Sequence, residues 1–578
     1  MSEAQTKTPN AKSAARTPSL WQAIAPVALL LVLLAANVGF YGEDSSYGPN
    51  QIALLISAAL AGLMGVMLRI PVTEMMEGVR KAISSTLIAI LILLLIGSLA
   101  GTWMMSGIVP AMIYFGLDIM NPTYFLVATS GICAVVSVVT GSSWSTVATV
   151  GIALLGIGTA LGMNVPMTAG AIISGAYFGD KISPLSDTTN LAAAMAGTDL
   201  ITHIKYMLWT TIPSFLIAAG IFTAIGLSGD VEATTSGTTL LKEQIANNFN
   251  LQSSALIFMF AVPILVLVMV LMKFDAIVAL FIGAIAAGLI AVVFQPEVVT
   301  KIAGLDLVEV TVNDEEGERK EMRDPAYIKR AYVAFINSMA FSTQLISDEA
   351  VEDLESQKKE LEGELERKCF ESAQQDDPDL TMEDFREKKI VVEDNFAEIQ
   401  EPLDKIVSQI SAASLLKGKG MVGMLNTVWL ILTAMCFGGI MEACGLLQRM
   451  TEPLIRMATT RGSLVATTAG GCLLTNVTAS DQYLAIVLPG RMFGEAFREQ
   501  GLAPENLSRT LEDSGTMTSV LIPWNTCGAA QQAVLGVNVL AFAPWCLFNI
   551  ISPLMTVLYA YLGINIHTLD DKQAQPES

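Results

Sequence analysis

The sequence predicts an all-α polytopic membrane protein: an inverted-repeat transporter with two re-entrant hairpins and broken transmembrane helices, plus an acidic soluble helical insert. Three observations predict this fold. Of 578 residues, 52% are hydrophobic and only 15% are charged, whereas soluble domains carry roughly a quarter charged residues. The apolar residues form runs of bilayer length, such as 82–100 and 255–272. Finally, two polar motifs of the first half recur in the second half at a nearly constant offset.

Ten apolar runs are long enough to be spans. They lie at about 21–40, 51–68, 82–105, 165–196, 207–227, 252–271, 274–294, 421–443, 513–538 and 541–563. The first run lacks a small-residue cleavage site, so we interpret it as a retained span. The predicted organisation is a cytoplasmic tail (1–20), a first transmembrane half (21–295), the acidic insert (296–416), a second transmembrane half (417–563) and a C-terminal tail (564–578).

Two further apolar stretches, 123–162 and 462–490, are interrupted by clusters of Ser, Thr and Gly. Their arms of about fifteen residues suit hairpins that return to the side they entered. With an N-terminus inside, the short loops predicted outside then contain a single basic residue, Lys242, as the positive-inside rule requires. The two hairpins enter from opposite sides, so the halves are predicted to be inverted.

An internal repeat supports this topology. The segment that ends in Thr140-Gly-Ser-Ser143 matches the one that ends in Thr478-Ala-Ser-Asp481 at an offset of 338 residues. A second break, Ser183-Pro-Leu-Ser-Asp187, aligns with Ile522-Pro-Trp-Asn-Thr526 at an offset of 339. Two separate segments with nearly the same offset predict an inverted-repeat transporter.

The insert contains most of the negative charge, since 30 of the 54 acidic residues lie between Glu297 and Lys405. Heptad spacing in 351–365 and a capping pattern that begins at Thr381 predict a small helical hairpin. The insert could bind an unknown partner or another protomer, but a solvated acidic lobe is the favoured interpretation. The predicted topology places it outside. No basic stripe exists, which disfavours nucleic-acid binding.

Several chemistries are excluded by what the sequence lacks. The seven cysteines are scattered without a CxxC pair, and there are only two histidines, His203 and His567. Neither a disulfide framework nor a zinc site follows. No phosphate-binding loop is present, which argues against an ATP-driven pump. We therefore predict no cofactor and no metal beyond a transported ion. His203, in a short loop beside Lys205, is predicted to be solvated.

The densest polar stretch inside the apolar background runs from Gly179 to Asn190. Carboxylates in membrane spans are costly and therefore indicate function. Pro184 breaks the helix and exposes carbonyls, and the hard oxygen ligands beside it suit Na⁺. These candidate ligands are Asp187, Ser186, Thr188, Thr189, Asn190 and Asp180. A carboxylate that takes either Na⁺ or H⁺ would couple the two ions. Alternatively, these groups only cap two half-helices, and Asp180 pairs with Lys181.

The symmetry-related positions supply the other candidate ligands. They are Asn525 and Thr526 after Pro523, and the hairpin-tip residues Thr140, Ser142, Ser143, Asn476, Thr478, Ser480 and Asp481. The tip hydroxyls could instead satisfy their own turns. Asp187 and Glu442 are the candidate proton carriers, although Glu442 could equally reach the membrane interface.

The motifs Gly175–Asn190, Thr475–Gln482 and Ile522–Thr526 resemble those of the NhaC family of Na⁺/H⁺ antiporters, within the ion transporter superfamily. The resemblance covers roughly 20–295 and 416–563. It implies exchange of cytoplasmic Na⁺ for external H⁺, with Asp187 as the favoured ion carrier. The long acidic insert departs from the family pattern.

The leading prediction is thus a Na⁺/H⁺ antiporter that works by alternating access in the cell membrane, such as a bacterial inner membrane. An organic-acid exchanger of the malate/lactate type is the alternative. It would need a cationic group in the site, and only Lys181 could serve. A channel or a receptor-like protein fits the repeat less well, and an enzyme is least favoured because no nucleophile and base are recognisably paired.

Overall fold

The computed structural model describes residues 17–228, 235–272, 274–303, 325–344, 348–376 and 417–569, with short pieces between 381 and 410. Helices dominate these residues, and one two-stranded antiparallel sheet pairs β1 (Thr343–Gln344) with β2 (Lys417–Gly418). In this part of the chain, nine helices are long and apolar enough to cross a membrane. The fold is therefore that of a multi-pass membrane protein.

The helices of the first half follow one another with short connections. They are α1 (Leu20–Tyr41), α2 (Pro49–Met67), α3 (Val72–Met105), α4 (Ile108–Ile119), α5 (Pro122–Thr140), α6 (Ser143–Ala160), α7 (Val165–Ile182), α8 (Asp187–Ala196), α9 (Leu200–Ser228), α10 (Thr235–Asn248), α11 (Ser253–Leu271) and α12 (Ala276–Phe294). Helix starts follow local chemistry: Asn121 caps α5 by accepting the Thr123 N–H (2.9 Å), and Pro122 occupies the first turn, where a missing N–H costs nothing.

The insert region and the second half contribute the remaining helices. They are α13 (Pro296–Ala303), α14 (Pro325–Ala340), α15 (Asp348–Asp376), α16 (Leu425–Ala443), α17 (Leu446–Met457), α18 (Arg461–Ala479), α19 (Gln482–Glu499), α20 (504–519, with a π-turn at Glu512–Thr516), α21 (Thr526–Leu535), α22 (Val539–Trp545) and α23 (Leu547–Leu562). The pair α21 and α22 is bent by 93°.

Small residues hold α5 and α7 against each other and thereby fix the polar end of α7. A Cβ atom on Gly175 would lie 2.0 Å from the Ser130 carbonyl oxygen, and one on Gly179 would lie 2.2 Å from that of Ala134. Backbones approach this closely in membrane helices only where side chains are minimal. The Ser137 hydroxyl also donates to the Ala176 carbonyl across the contact (2.6 Å). The next residue, Asp180, therefore has a fixed position.

Helix boundaries recur between the halves at a spacing of 339 residues. This spacing relates both ends of α5 to those of α18 and both ends of α8 to those of α21, and it relates the first residue of α7 to that of α20. The left-handed residues that end α5 and α18, Gly141 (φ +65°) and Ser480 (φ +60°), are related in the same way. The arms beside these breaks are 18 or 19 residues long, longer than predicted for the hairpins, whose re-entrant path stays a prediction.

Part of the predicted insert packs on the transmembrane helices. The Ser98 hydroxyl of α3 donates to the Met339 carbonyl of α14 (2.9 Å), and the Tyr327 hydroxyl donates to the Val292 carbonyl of α12 (2.5 Å). Beyond β1, α15 covers the predicted heptad stretch, and its acidic surface is largely exposed. The second helix predicted after Thr381 lies outside the described residues.

Candidate functional site: a cavity lined by three carboxylates

The break between α5 and α6 builds the first wall of the site. Gly141 turns the chain in the left-handed region, and Ser142 then caps α6 by accepting the Ser145 N–H (3.2 Å). Ser143 donates both its backbone N–H (3.1 Å) and its hydroxyl (2.7 Å) to Oδ2 of Asp180. The break thus ties the end of α5 to the last turn of α7.

Asp180 is a buried carboxylate with one oxygen in use. Asp180 is only 6% exposed, and its Oδ1 has no hydrogen-bond partner among the described residues. Buried carboxylate oxygens normally have partners, because an unpaired buried acceptor costs free energy. Oδ1 is therefore the natural place for a proton or a cation.

Behind Pro184 the chain restarts as α8, and Ser186 caps it by accepting the Thr189 N–H (3.4 Å). The Asn190 amide donates to the Pro184 (3.1 Å) and Ser186 (2.6 Å) carbonyls, so it braces the break from outside. Asp187 is exposed on its first turn and accepts a hydrogen bond from the Tyr483 hydroxyl. This contact joins the first half of the chain to the second.

The second half repeats this construction. Asp481 is 2% exposed and caps α19 by accepting the Leu484 N–H (2.9 Å). The N–H of Thr526, the first residue of α21, donates to the Ser480 carbonyl (3.0 Å), and Asn525 donates its amide to Asn476 Oδ1 (3.0 Å). The break at Ser480 is therefore joined to the break at Pro523, as the Gly141 break is joined to α7.

These two constructions meet around a cavity of about 360 Å³, which we call the carboxylate cavity. Its lining residues are Ser85, Thr86, Ile88, Ala89 and Ile92 of α3, Ser142, Ser143 and Trp144, Asp180, Asp187, Asp481, Gln482, Tyr483, and Thr526. Three carboxylates face it, and none of its described lining residues is basic. Such an oxygen-rich, negatively charged space fits a small hard cation.

Six of the predicted ligands line this cavity, and nine do not. Those that line it are Ser142, Ser143, Asp180, Asp187, Asp481 and Thr526. The others do not line it, and several are engaged elsewhere: the Thr189 hydroxyl of α8 donates to the Lys181 carbonyl of α7 (3.0 Å), and the Thr478 hydroxyl donates to the Leu474 carbonyl of its own helix (2.7 Å). Those that do not line the cavity are Thr140, Ser186, Thr188, Thr189, Asn190, Asn476, Thr478, Ser480 and Asn525.

Glu442, the second predicted proton carrier, lies away from the carboxylate cavity. Its side chain is 37% exposed, and its nearest basic group is the exposed Lys81, 3.8 Å away. Its role as a proton carrier and its alternative place at the membrane interface both stay predictions.

Sequence reasoning missed a second buried polar group behind the cavity. Lys181 is fully buried, forms an ion pair with Asp513 and donates to the Ser552 hydroxyl (2.8 Å). Asp513 also accepts from Thr556 and from Thr210 (2.8 Å). We call Lys181 and Asp513, together with the three hydroxyl groups that contact them, the buried ion pair. Lys181 thus pairs with Asp513 and not, as one alternative held, with Asp180.

Two further corrections concern the same region. The sequence predicts a span that begins only at residue 513, but residues 504–512 already belong to α20. Glu505, Arg509, Glu512 and Asp513 on this helix are each at most 1% exposed. His203, predicted to be solvated, is fully buried as well. The signal was available, because a 339-residue offset maps α7 onto α20.

A bundle of apolar helices whose paired breaks enclose a cavity lined by carboxylates is typical of one class of protein, the multi-pass secondary transporters. Within that class, the chain belongs to the Na⁺/H⁺ antiporter family, which its sequence matches over residues 175–314 and 398–564.

Individual relatives agree with this membership and differ in what they are named for. The chain is 31% identical to the Na⁺/H⁺ antiporter NhaC of Alkalihalophilus pseudofirmus over 516 residues, which cover 89% of this chain and 91% of the relative. It is 29% identical to the malate-2H⁺/Na⁺-lactate antiporter of Bacillus subtilis, covering 95% and 96%. It is 28% identical to the arginine/ornithine antiporter ArcD of Halobacterium salinarum, covering 97% and 96%.

Proposed function

We propose that this protein is a secondary Na⁺/H⁺ antiporter that exchanges cytoplasmic Na⁺ for external H⁺, with Na⁺ bound in the carboxylate cavity. One observation carries the proposal: Asp180, Asp187 and Asp481 face a single cavity, and no basic side chain lines it within the described residues. The three acids come from both halves of the chain. Their excess negative charge is neutralised most simply by a cation or by protons.

Asp180 supplies the simplest coupling device. Its Oδ2 is held by Ser143, while its Oδ1 is left open toward one occupant. A buried carboxylate is stabilised by neutralisation, and Na⁺ and H⁺ each neutralise it. Because both cannot occupy the same oxygen, binding of one releases the other. Asp187 and Asp481 then complete the oxygen shell, with Thr526, Ser142 and Ser143 as neutral ligands.

The architecture we infer is an inverted repeat whose two breaks exchange access to the cavity between the two sides. The 339-residue spacing of helix boundaries supports it, and so do the parallel roles of Gly141 and Ser480. In such carriers the site lies at the repeat interface, and one part of the protein rocks against the other. The re-entrant course of α5–α6 and α18–α19 belongs to this proposal, as does the acidic insert, whose α15 we regard as a solvated lobe.

The organic-acid alternative rests on the name of the Bacillus subtilis relative. A carboxylate substrate would need a cationic partner, and Lys181 is engaged by Asp513 and does not line the cavity. The same geometry disfavours a basic amino acid less strongly, because its cationic groups suit the three acidic side chains. Its carboxylate would still be repelled by them.

The test uses purified protein in liposomes that contain a pH-sensitive dye and an imposed proton gradient, followed by a pulse of NaCl, choline chloride or sodium malate. We expect NaCl, but not choline chloride, to dissipate the gradient, and malate to add nothing beyond its sodium. Asp180→Asn should slow this response about 100-fold, since loss of a charged ligand costs up to ~3 kcal/mol.

The matched control is Asp275→Asn. Asp275 caps α12 at an exposed position, and an asparagine preserves that cap, so its activity should stay at the wild-type level. A gradient that responds to sodium malate but not to NaCl would replace the proposal with an organic-acid exchanger. An unchanged Asp180→Asn protein would remove Asp180 from the site.

A further inference from the structure

We propose that Glu512 is a second proton-binding site, separate from the carboxylate cavity and coupled to it through Thr188 and Ser186. The inference rests on the proposed Na⁺/H⁺ exchange and deepens it, because it adds a second proton to each cycle. Glu512 opens the π-turn of α20 and is fully buried. Local π-turns of this kind are frequent at functional sites.

Glu512 lacks the compensation that its neighbour Asp513 has. Asp513 pairs with Lys181, whereas Glu512 forms no ion pair with any described residue. Its Oε1 accepts the Thr188 hydroxyl (3.1 Å), and its Oε2 has no partner in the described part of the chain. A buried charge without a counter-ion costs several kcal/mol, and a proton removes that cost.

The charged groups around Glu512 do not supply the missing counter-ion. From α7, Lys181 attracts Glu512 but forms its ion pair with Asp513, and Asp180 repels Glu512. On α20 itself, Arg509 stacks on the Tyr206 ring (4.4 Å) and donates to the Asn565 carbonyl (3.4 Å). From α9, the buried His203 lies near Asp513 and Lys181, and neither of its ring nitrogens has a partner among the described residues.

A short chain of hydroxyls joins Glu512 to the cavity. The Thr188 hydroxyl lies 3.1 Å from that of Ser186, which caps α8, and the Thr188 N–H donates to Oδ1 of Asp187 (2.9 Å). Once Asp180 has lost its proton, its charge repels Glu512 and holds the Glu512 proton in place. A cation bound at Asp180 and Asp187 offsets this repulsion and so favours release of the Glu512 proton. By linkage, protonation of Glu512 weakens Na⁺ binding to the same degree.

The charge balance of the cycle follows. Protons on Asp180 and Glu512 leave as one Na⁺ binds, so two protons move against each Na⁺. One net positive charge then crosses the membrane in the direction of the protons. Exchange through Asp180 alone would move no net charge.

The experiment measures the number of protons moved per Na⁺ in liposomes, together with the response of the rate to a potassium diffusion potential. We expect about two protons per Na⁺ and a potential-sensitive rate for the wild type. Glu512→Gln should move one proton per Na⁺ and lose the response to the potential. The matched control is Glu505→Gln: Glu505 is also buried on α20 but lies beside His567 (3.1 Å), and this variant should keep the wild-type ratio.

A wild type with one proton per Na⁺, or a Glu512→Gln protein that still moves two, overturns the assignment while leaving Na⁺/H⁺ exchange intact. A wild type without Na⁺-driven proton movement overturns the proposed function instead.

If Glu512→Gln fails to fold, Thr188→Val decides the question. It removes the donor that stabilises the charged carboxylate, so the ratio should fall to one at neutral pH and return to two in alkaline medium. Thr188→Ser should behave as wild type, and a Thr188→Val ratio independent of pH contradicts the coupling.

Discussion

Asp180 and Lys181 are neighbours in sequence but belong to two different environments. Asp180 faces the carboxylate cavity, where two more acids and no described base meet it. Lys181 points into the protein, where Asp513 neutralises it and three hydroxyls complete the shell around the two charges. Charge inside this bundle is left uncompensated where it faces the cavity, and there it is available to bind a cation or a proton. Where it is fully paired, it holds helices together.

The largest effect should come from breaking the compensated region. Lys181→Met leaves Asp513 buried without its counter-ion, which costs about 3–5 kcal/mol. We expect a strongly lowered thermal unfolding midpoint in detergent, and partial recovery in the Lys181→Met/Asp513→Asn double variant.

Lys81→Met is the control for that loss, because the Lys81 side chain is 75% exposed and lies 3.8 Å from Glu442. Exposed pairs are worth about 0–1 kcal/mol, so its midpoint should hardly move. An equal effect of the two lysine variants would mean that the buried pair does not stabilise the bundle.

The backbone frame of the cavity is tested by Gly141→Ala against Gly162→Ala. Both glycines have positive φ, which costs an alanine about 1–2 kcal/mol. A Cβ on Gly141 would lie 2.5 Å from the Leu185 Cβ, whereas one on Gly162 has open space around it. Crowding adds about 1–3 kcal/mol at Gly141 alone. We therefore expect slower exchange and lower stability for Gly141→Ala, measured by dye assay and unfolding, and only the shared backbone cost for Gly162→Ala.

A smaller effect separates the charge of the cavity from its structure. Asp481→Asn keeps the cap of α19, because asparagine caps as well as aspartate, but it removes one of three negative charges. We expect an apparent Na⁺ affinity about tenfold weaker, equivalent to ~1.4 kcal/mol, with an unchanged unfolding midpoint. Asp187→Asn should behave similarly. A lowered midpoint with unchanged affinity would assign Asp481 a capping role only.

Much of the carboxylate cavity was predictable because its parts interrupt apolar sequence. Pro184 and Pro523 are visible as helix breaks, and the tip clusters that end in Ser143 and Asp481 stand out at an offset of 338 residues, one short of the 339-residue spacing of the helix boundaries. Membership of the family was also predicted correctly from these motifs. The polar residues of the breaks could be proposed as a group, although nine of the fifteen do not line the cavity, because spacing along a break does not determine which side chain points inward.

The buried ion pair was not predictable in the same way. A dense run of charge such as Glu505 to Glu512 is normally a solvated loop, so hydropathy begins the predicted span only at Asp513. Only tertiary partners make such charge tolerable inside the bundle, and those of Asp513, Lys181 and Thr210 among them, lie some 300 residues away. Likewise, the contribution of Ser85 and Thr86 to the cavity depends on how α3 is rotated, which a long apolar run does not reveal.

The smallest expected effect concerns a third environment, in which a partly buried lysine forms no ion pair within the described residues. Lys419 lines a second cavity of about 280 Å³ and donates to the Ala533 carbonyl (2.7 Å) near the end of α21. No carboxylate pairs with it in the part of the chain that the structure describes. Burial lowers the pKa of Lys419 to about 8.

An unfolded lysine titrates near 10.4, so between pH 8 and 10 the unfolded chain holds a proton that the folded chain has released. Stability from this group therefore rises with pH across that window. We expect the unfolding midpoint of the wild type to shift upward between pH 8 and 10 relative to that of Lys419→Gln, whose amide still donates to Ala533 but does not titrate. Parallel pH profiles for the two proteins would mean that Lys419 is solvated in the folded state. Lys419 and Lys181 would then differ only in their exposure to solvent.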